Sequence, residues 1–410
     1  MLLPTLLAVV ALFASLVLLV SGNAMLGTIA ALRLEIEGYD AGVIGVVLAL
    51  TSLGFVLGSI YGVRIVRRVG HIRAFAAFAG VAASATLAHP LYVTVTTWLL
   101  LRFVLGFCIA GLMLVVESWI NASATKETRG ALLGSYMVLF FLAASGGQFM
   151  VALGDPGADR LFVVAGILIA LSLVPVSLTD STPPAIEQAS GLSLRTLWRR
   201  SELGLAGAAA GGMVIGAFGT VGPVYAYEMK LPVEDVARFM GISILAAMTL
   251  QWPIGLLSDR LPRRLIIIVI AGAAAAAALA TALIGHRSPL HLYVGVALMY
   301  GLAACIYPVC LALTHDMLSP AQVVPASRAM LLVNGIGAVA GPVVGGLAIS
   351  LLGPSGLMLF LAAALGVLVA LGLHSLAIER APPVAEQSHC VGVAPGSTTI
   401  VAELEPRQAP

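Results

Sequence analysis

Apolar residues run along this chain in twelve long blocks, each separated from the next by a short stretch carrying charge, proline or glycine. A helix needs about 20 predominantly apolar residues to cross ~30 Å of hydrocarbon. The blocks at 5–31, 42–63, 74–90, 92–118, 130–152, 161–178, 203–226, 237–257, 265–285, 290–314, 328–351 and 355–377 meet that requirement. The pattern therefore predicts an all-α membrane protein with twelve transmembrane helices. A polar stretch from Thr179 to Glu202, with Pro183-Pro184 and the basic pair Arg199-Arg200, falls between blocks six and seven. The expected organisation is a six-helix bundle over 1–178, a cytoplasmic linker over 179–202 and a second six-helix bundle over 203–378. The tail, 379–410, mixes Pro, Gly, Glu and Ser without periodicity and reads as disordered, with no transport role. The run from Leu6 to Leu32 has no basic segment before it and exceeds a signal-peptide core, so it reads as the first membrane helix.

Charge placement orients the bundle. Of the 21 Lys and Arg residues, 15 fall on the side that holds both chain ends, five on the other, and Arg102 lies within the fourth block. Basic residues accumulate on the cytoplasmic side of membrane proteins, so both termini are expected there, with a bacterial inner membrane as the setting. Composition agrees: 60% of residues are hydrophobic, 10% are charged and the mean hydropathy is +1.06. So few charges cannot cover a water-facing surface. The net charge of +2 comes without a basic stripe, which argues against nucleic acid as a partner. Cys108, Cys305 and Cys310 lie in apolar runs and Cys390 in the tail, a pattern that suggests neither a disulfide nor a zinc site. No nucleophile, metal-ligand or phosphate-loop constellation stands at usable spacing, so no enzyme activity, metal or cofactor is expected.

The two halves share a spacing. Glu117, Arg129 and Gly146-Gly147 in the first are matched by Asp316, Arg328 and Gly345-Gly346 in the second, each 199 residues on. Duplicated halves are a device of carriers that expose a central site alternately to two sides. They imply two pseudo-symmetric bundles related by a twofold axis along the membrane normal. Amides within hydrocarbon should face protein or water. Asn23, Gln148, Gln251 and Asn334 fall in blocks one, five, eight and eleven, whereas blocks three, six, nine and twelve hold no amide or charge centrally. Those four are expected at the lipid-facing rim.

These residues resemble the major facilitator superfamily over nearly the whole chain. GLLSDRLPRR, Gly255 to Arg264, is similar to the superfamily's loop motif of Gly, three residues, Asp-Arg and a basic pair, with Pro262 where Gly is usual. The first-half loop, GVRIVRRVGHIR, has Arg67 where the motif has Asp. LRFVLGFCIAG resembles an Arg-x-x-x-Gly motif and places Arg102 and Gly106 on it. NGIGAVAGPVVGG, Asn334 to Gly346, is similar to the Gly-Pro-x-x-Gly-Gly motif that exporters carry in span five, here in span eleven. The strings VGHIRAFA, ESWINA and QWPIGLLSDR are similar to the uncharacterised YcaD-type branch. The resemblance implies the major facilitator fold.

Candidate solute-binding or coupling residues are Arg102, Asn23, Tyr136, Gln148, Gln251, Trp252 and Asn334. Arg102 is the one charge well inside a block, where its cost is roughly 2.5–3.5 kcal/mol. It reads as a donor to an anionic or carbonyl group of a solute, or as a structural Arg satisfied by carbonyls and Asn23. Candidate gating residues are Glu117, Asp259, Arg260, Asp316 and Arg328. Glu117 is expected near Arg67, Arg68 and Arg73, and Asp316 near Arg260, Arg263 and Arg264, as latches on the cytoplasmic side. Asp259 and Arg260 rest on motif position, and the Gly341-Pro342 and Gly345-Gly346 pairs on close packing and a bend.

Three functions remain in view. The first is a monomeric secondary transporter that moves a small, neutral or weakly anionic organic solute by alternating access, a planar vitamin-like compound such as riboflavin being one such solute. The second is a proton-coupled exporter of drugs or metabolites, which a cavity-facing carboxylate would favour. The third is a non-transporting membrane sensor or scaffold, which should carry a folded soluble domain.

Overall fold

The computed structural model describes residues 2–125, 127–178 and 193–378, together with Gln387, Cys390 and Thr398. Among the described residues, twelve helices are long and apolar enough to cross a membrane. They are α1 (Val9–Ile36), α2 (Ala41–Val69), α3 (His71–Ala88), α4 (Val95–Ser123), α5 (Arg129–Leu153), α6 (Arg160–Ser177), α7 (Glu202–Glu228), α8 (Val233–Arg260), α9 (Arg263–Arg287), α10 (Pro289–Asp316), α11 (Ala321–Leu352) and α12 (Ser355–Ala377). We call the end that carries Arg64, Arg67, Arg68, Arg260, Arg263 and Arg264 the basic face, and the other the opposite face.

Local chemistry sets the helix ends. The Asp40 carboxylate accepts the Gly42 amide at 2.8 Å to cap α2, and the Thr94 hydroxyl accepts from the Thr97 amide at the start of α4. Pro289, whose missing N–H costs nothing in a first turn, opens α10 behind the Ser288 cap. The apolar pattern stops α2 at 63, yet the helix continues to Val69. Exposed Arg64, Arg67 and Arg68 extend it past the apolar stretch, and Gly70, at φ 88°, ends it with its amide on the Val66 carbonyl. Two helices break inside the apolar zone: α6 at Ser172 and α10 at Cys305. Each break precedes a proline by three residues, Pro175 and Pro308, where the ring removes a donor and crowds the preceding turn. Most of the expected linker lies outside the described residues, but its last part is ordered as a short helix, Leu194–Arg200.

The halves repeat one packing scheme. In the first, α1 packs on α5 and α6, α2 on α4, and α3 on α4 and α6. In the second, α7 packs on α11 and α12, α8 on α10, and α9 on α10 and α12. Every pair recurs six helices later. The principal contacts between halves are α2 with α11, α5 with α8, and α1 and α2 with α7. Helices α3, α6, α9 and α12 take no part in these, as the absence of central amides in their blocks anticipates.

Small residues allow the tightest seams. A Cβ on Gly106 would lie 1.9 Å from the Thr51 carbonyl oxygen, and one on Gly341 2.1 Å from that of Met213. With lipid tails as apolar as leucine, close backbone approach and dispersion hold such helices together.

Candidate functional site

Arg102 stands two turns into α4, about 10 Å from its start at 1.5 Å per residue. It is only 2% exposed. One Nη2–H donates to the Leu26 carbonyl of α1 at 3.3 Å, and the guanidinium lies 5.8 Å from the Trp98 ring centroid, one turn earlier on the same helix. Trp98 is fixed in turn, because its indole N–H donates to the His89 carbonyl at 3.0 Å. The Arg102 Nε has no partner. Of the carbonyls and Asn23 expected around a structural Arg102, the Leu26 carbonyl is its hydrogen-bond partner, and Asn23 is half-buried on α1.

The other amides divide by geometry. Gln148 on α5 accepts the Thr28 hydroxyl at 2.6 Å and donates to the Ala24 carbonyl at 3.1 Å, so both ends of its side chain tie α5 to α1. Asn334 on α11 donates to the Ala208 carbonyl of α7 at 3.0 Å. Since α5–α1 and α11–α7 are equivalent pairs, the two amides stitch corresponding seams. Gln251 is half-buried and its Nε2 has no partner. Trp252, the adjacent residue, is 75% exposed.

The halves are locked together at the opposite face. A Cβ on Gly45 would fall 2.2 Å from the Pro342 carbonyl oxygen, and one on Gly346 2.4 Å from that of Ala41. The Ser350 hydroxyl donates to Asp40 at 2.6 Å and accepts the Gly42 amide at 2.8 Å, while the Ser145 hydroxyl donates to the Gly241 carbonyl at 3.1 Å. Sequence reasoning singled out the α11 glycines for packing but missed their partners Gly45 and Ala41. Glu35 ends α1 on this face, within Coulomb range of Glu228, Lys230 and Asp40, and its Oε2 has no hydrogen-bond partner.

On the basic face, Glu117 is 1% exposed and accepts the Tyr136 hydroxyl at 2.7 Å. Its remaining donors come from Thr398 of the tail, not from Arg67, Arg68 or Arg73, all of which are exposed. The latch expected there is thus replaced by neutral donors. Asp316 does meet its loop: Arg263 donates to it, and Arg263 also lies 3.7 Å from Asp259. This pairing lies within the second half. Arg260 is exposed and Arg328 half-buried on α11.

A sequence model of the Major Facilitator Superfamily matches residues 11–304. The chain belongs to the major facilitator superfamily. It is similar to the uncharacterized MFS-type transporter YcaD of Escherichia fergusonii, 26% identical over 336 residues that make up 82% of this chain and 87% of that one. An uncharacterized MFS-type transporter of Enterobacter sp. (strain 638) matches equally, 26% identical with the same two coverages. The fold is similar to that of the nucleoside transporter NupG, with TM-score 0.76 at 15% identity over 92% of this chain and all of that one. It is also similar to a bacterial homolog of the lysosomal transporter Spinster in an inward-facing, unoccupied conformation, TM-score 0.72 at 14% identity, covering 93% and 99%.

As a major facilitator, the protein is a secondary transporter, and its two halves use the superfamily's loop differently. In the second half, Asp259 closes α8 and meets Arg263 at the start of α9. In the first half, Arg67 occupies the acidic position, and the carboxylate of this region is Glu117 one helix pair away. The Gly-Pro-x-x-Gly-Gly string occupies the seam between halves at the opposite face through Pro342 and Gly346.

Proposed function

We propose that this transporter carries a small, neutral or weakly anionic organic solute across a bacterial inner membrane by alternating access, working as a monomer with the basic face and both termini in the cytoplasm. The excess of basic residues on one face supports the orientation. The tight seam at the opposite face supports an inward-facing state, with outward opening requiring α2 to part from α11 and α5 from α8.

The observation that carries the solute class is Arg102, a buried guanidinium with one carbonyl partner, a ring face and an unused Nε–H. Such a cation gains most from a carboxylate or carbonyl supplied by a ligand when α1 and α4 shift. The aromatic residues that suggested a planar solute lend less support, since Tyr136 bonds to Glu117 and Trp252 is 75% exposed rather than enclosed by protein. The test is uptake into liposomes holding purified protein, screened over small organic acids, nucleosides and riboflavin, with and without a pH gradient. Saturable uptake of an acid or carbonyl-rich solute that disappears in Arg102→Met is the expected result. Retention of full uptake in that variant defeats the reading.

A second reading, proton coupling, draws support from Glu117 and Glu35, two carboxylates with no cationic hydrogen-bond partner among the described residues. It requires that the pH gradient drive accumulation, and that Glu117→Gln or Glu35→Gln abolish the drive.

A further inference from the structure

The polar stretch between the halves reads from sequence as a linker, yet its last part is a fixed element. Leu194–Arg200 forms a short helix, and three contacts hold it in place. Leu197 is fully buried as part of the apolar core. The Arg200 Nη1–H donates to Gln322 at the start of α11 at 3.2 Å. The Ser201 hydroxyl donates to Thr314 of α10 at 2.9 Å, since the Thr314 hydroxyl gives its own proton to the Cys310 carbonyl. Thr314 lies two residues before Asp316, which meets Arg263, so the helix belongs to the basic face.

At Ser201, with φ −147° and ψ 69°, the backbone leaves the helical region, so the short helix does not extend α7 outward. That single corner residue separates it from Glu202, where the membrane-crossing α7 begins. The helix therefore sits at the boundary between hydrocarbon and water. Its faces suit that boundary, because successive residues are about 100° apart. Leu197 points into the protein. Next around the helix come Leu194 and Trp198, one turn apart and 42% and 46% exposed. Arg195 and Arg199, also one turn apart and exposed, occupy the face beyond them. Neither arginine has an ion-pair partner among the described residues, and Glu202 is the one acidic residue in 193–202.

We propose that the helix Leu194–Arg200 is a binding element for anionic lipid, with Leu194 and Trp198 set into the leaflet at the basic face and Arg195 and Arg199 on lipid phosphates. An amphipathic helix with Trp and Leu beside arginines is the chemistry of an interfacial element. A guanidinium binds phosphate oxygens in pairs, so the arginines hold headgroups and are not merely attracted to them. Two arginines at an anionic surface favour it by roughly fivefold each. An acidic soluble protein would also satisfy the arginines, but the position beside the first turn of α7 puts Leu194 and Trp198 where lipid already lies. The proposal depends neither on the solute nor on the direction of transport.

The test uses the full-length protein in vesicles of equal parts phosphatidylcholine and phosphatidylglycerol. Cys108, Cys305 and Cys310 are buried, so Leu194→Cys in a Cys390→Ser background gives one accessible thiol for a nitrobenzoxadiazole label. A nitroxide placed high on the acyl chain is carried in one preparation by a small fraction of the phosphatidylglycerol, and in the other by the same fraction of the phosphatidylcholine. Nitroxide quenches the label only at close range. We expect quenching by both, with the phosphatidylglycerol form at least roughly threefold more effective. Arg195→Gln with Arg199→Gln should bring the ratio to one, as should ~1 M salt, which shortens the screening length to about 3 Å.

Three results overturn the proposal. Absence of quenching by either lipid shows that the helix faces water and leaves its arginines to a soluble acidic partner. Equal quenching by both shows an interfacial helix without preference for anionic lipid. A preference that survives the double glutamine variant assigns the lipid to other basic residues of this face. Both arginines are exposed and unpaired among the described residues, so the variant should keep the parental elution profile and melting temperature. The apolar side is read separately: Trp198→Gln should lower quenching by both lipids together and shift the label's emission to the red, and unchanged emission refutes insertion of Trp198.

Discussion

The seam at the opposite face gives the most direct handle on the transport cycle. Gly45 and Gly346 face each other across α2 and α11, with Gly45 also against the Pro342 carbonyl. A methyl group at Gly45 would begin 2.2 Å from the Pro342 oxygen and 3.3 Å from the Gly346 Cα. Ordinary contact begins near 3.4 Å, so α2 and α11 must separate by about 1 Å, and both obstacles are backbone that cannot rotate away. Inserting a methyl into such a packed contact costs typically 1–3 kcal/mol. That cost falls only on the state in which this seam is closed, so Gly45→Ala should shift the population toward opening at the opposite face by roughly 5- to 150-fold. Gly346→Ala, whose methyl would start 2.4 Å from the Ala41 oxygen, should do the same. Combined, the two should not add, because they relieve one contact. The control is Gly27→Ala on α1, where no atom lies within 4 Å. The assay is maleimide labelling of Ser145→Cys from the opposite side in a Cys390→Ser background. If Gly45→Ala and Gly346→Ala label no faster than Gly27→Ala while remaining folded, the seam is not a gate.

Three further outcomes follow from the same contacts. Arg102→Met should keep its melting temperature within a few degrees, because ~2.5–3.5 kcal/mol of burial cost is set against one charged hydrogen bond of about 1.5–3 kcal/mol and one ring contact of about 0.5–2 kcal/mol; a collapse of expression would make Arg102 structural. Asp316→Asn strips the nearer of two carboxylates from Arg263 and leaves Asp259 at 3.7 Å, so detergent thermal stability should drop by part of the about 3–5 kcal/mol that breaking a buried pair costs, and Arg263→Met should recover some of it. Gln148→Leu removes both ties between α5 and α1 and should cost about 1–2 kcal/mol, read as an earlier thermal transition, while Asn23→Leu should cost less.

The span count and the two-half organisation were legible in the sequence, and the reason is physical. Bilayer thickness demands a fixed apolar length, and duplicated halves repeat the spacing of Glu117, Arg129 and Gly146-Gly147 199 residues on, so one-dimensional pattern carries both facts. The motif at Gly255 to Arg264 likewise placed Asp259 beside the basic start of α9, because helix ends joined by a tight turn are neighbours in any fold. Helix ends were less legible: α2 runs to Val69 because arginines extend a helix outside hydrocarbon as readily as apolar residues do within it.

What each polar side chain meets was decided only by tertiary structure. The pattern could place Gln148 in α5 but not aim it at Thr28 and Ala24. The face that a helix turns toward its neighbours depends on how backbones pack, as the Gly45, Pro342 and Gly346 contact illustrates across nearly 300 residues of chain. Glu117 is the sharpest case. Nearby basic loops made an ion pair the natural expectation, yet the folded chain brings Thr398 to it from 281 residues away. Local sequence lists the charges available, and only the packed bundles determine which donor reaches a buried carboxylate.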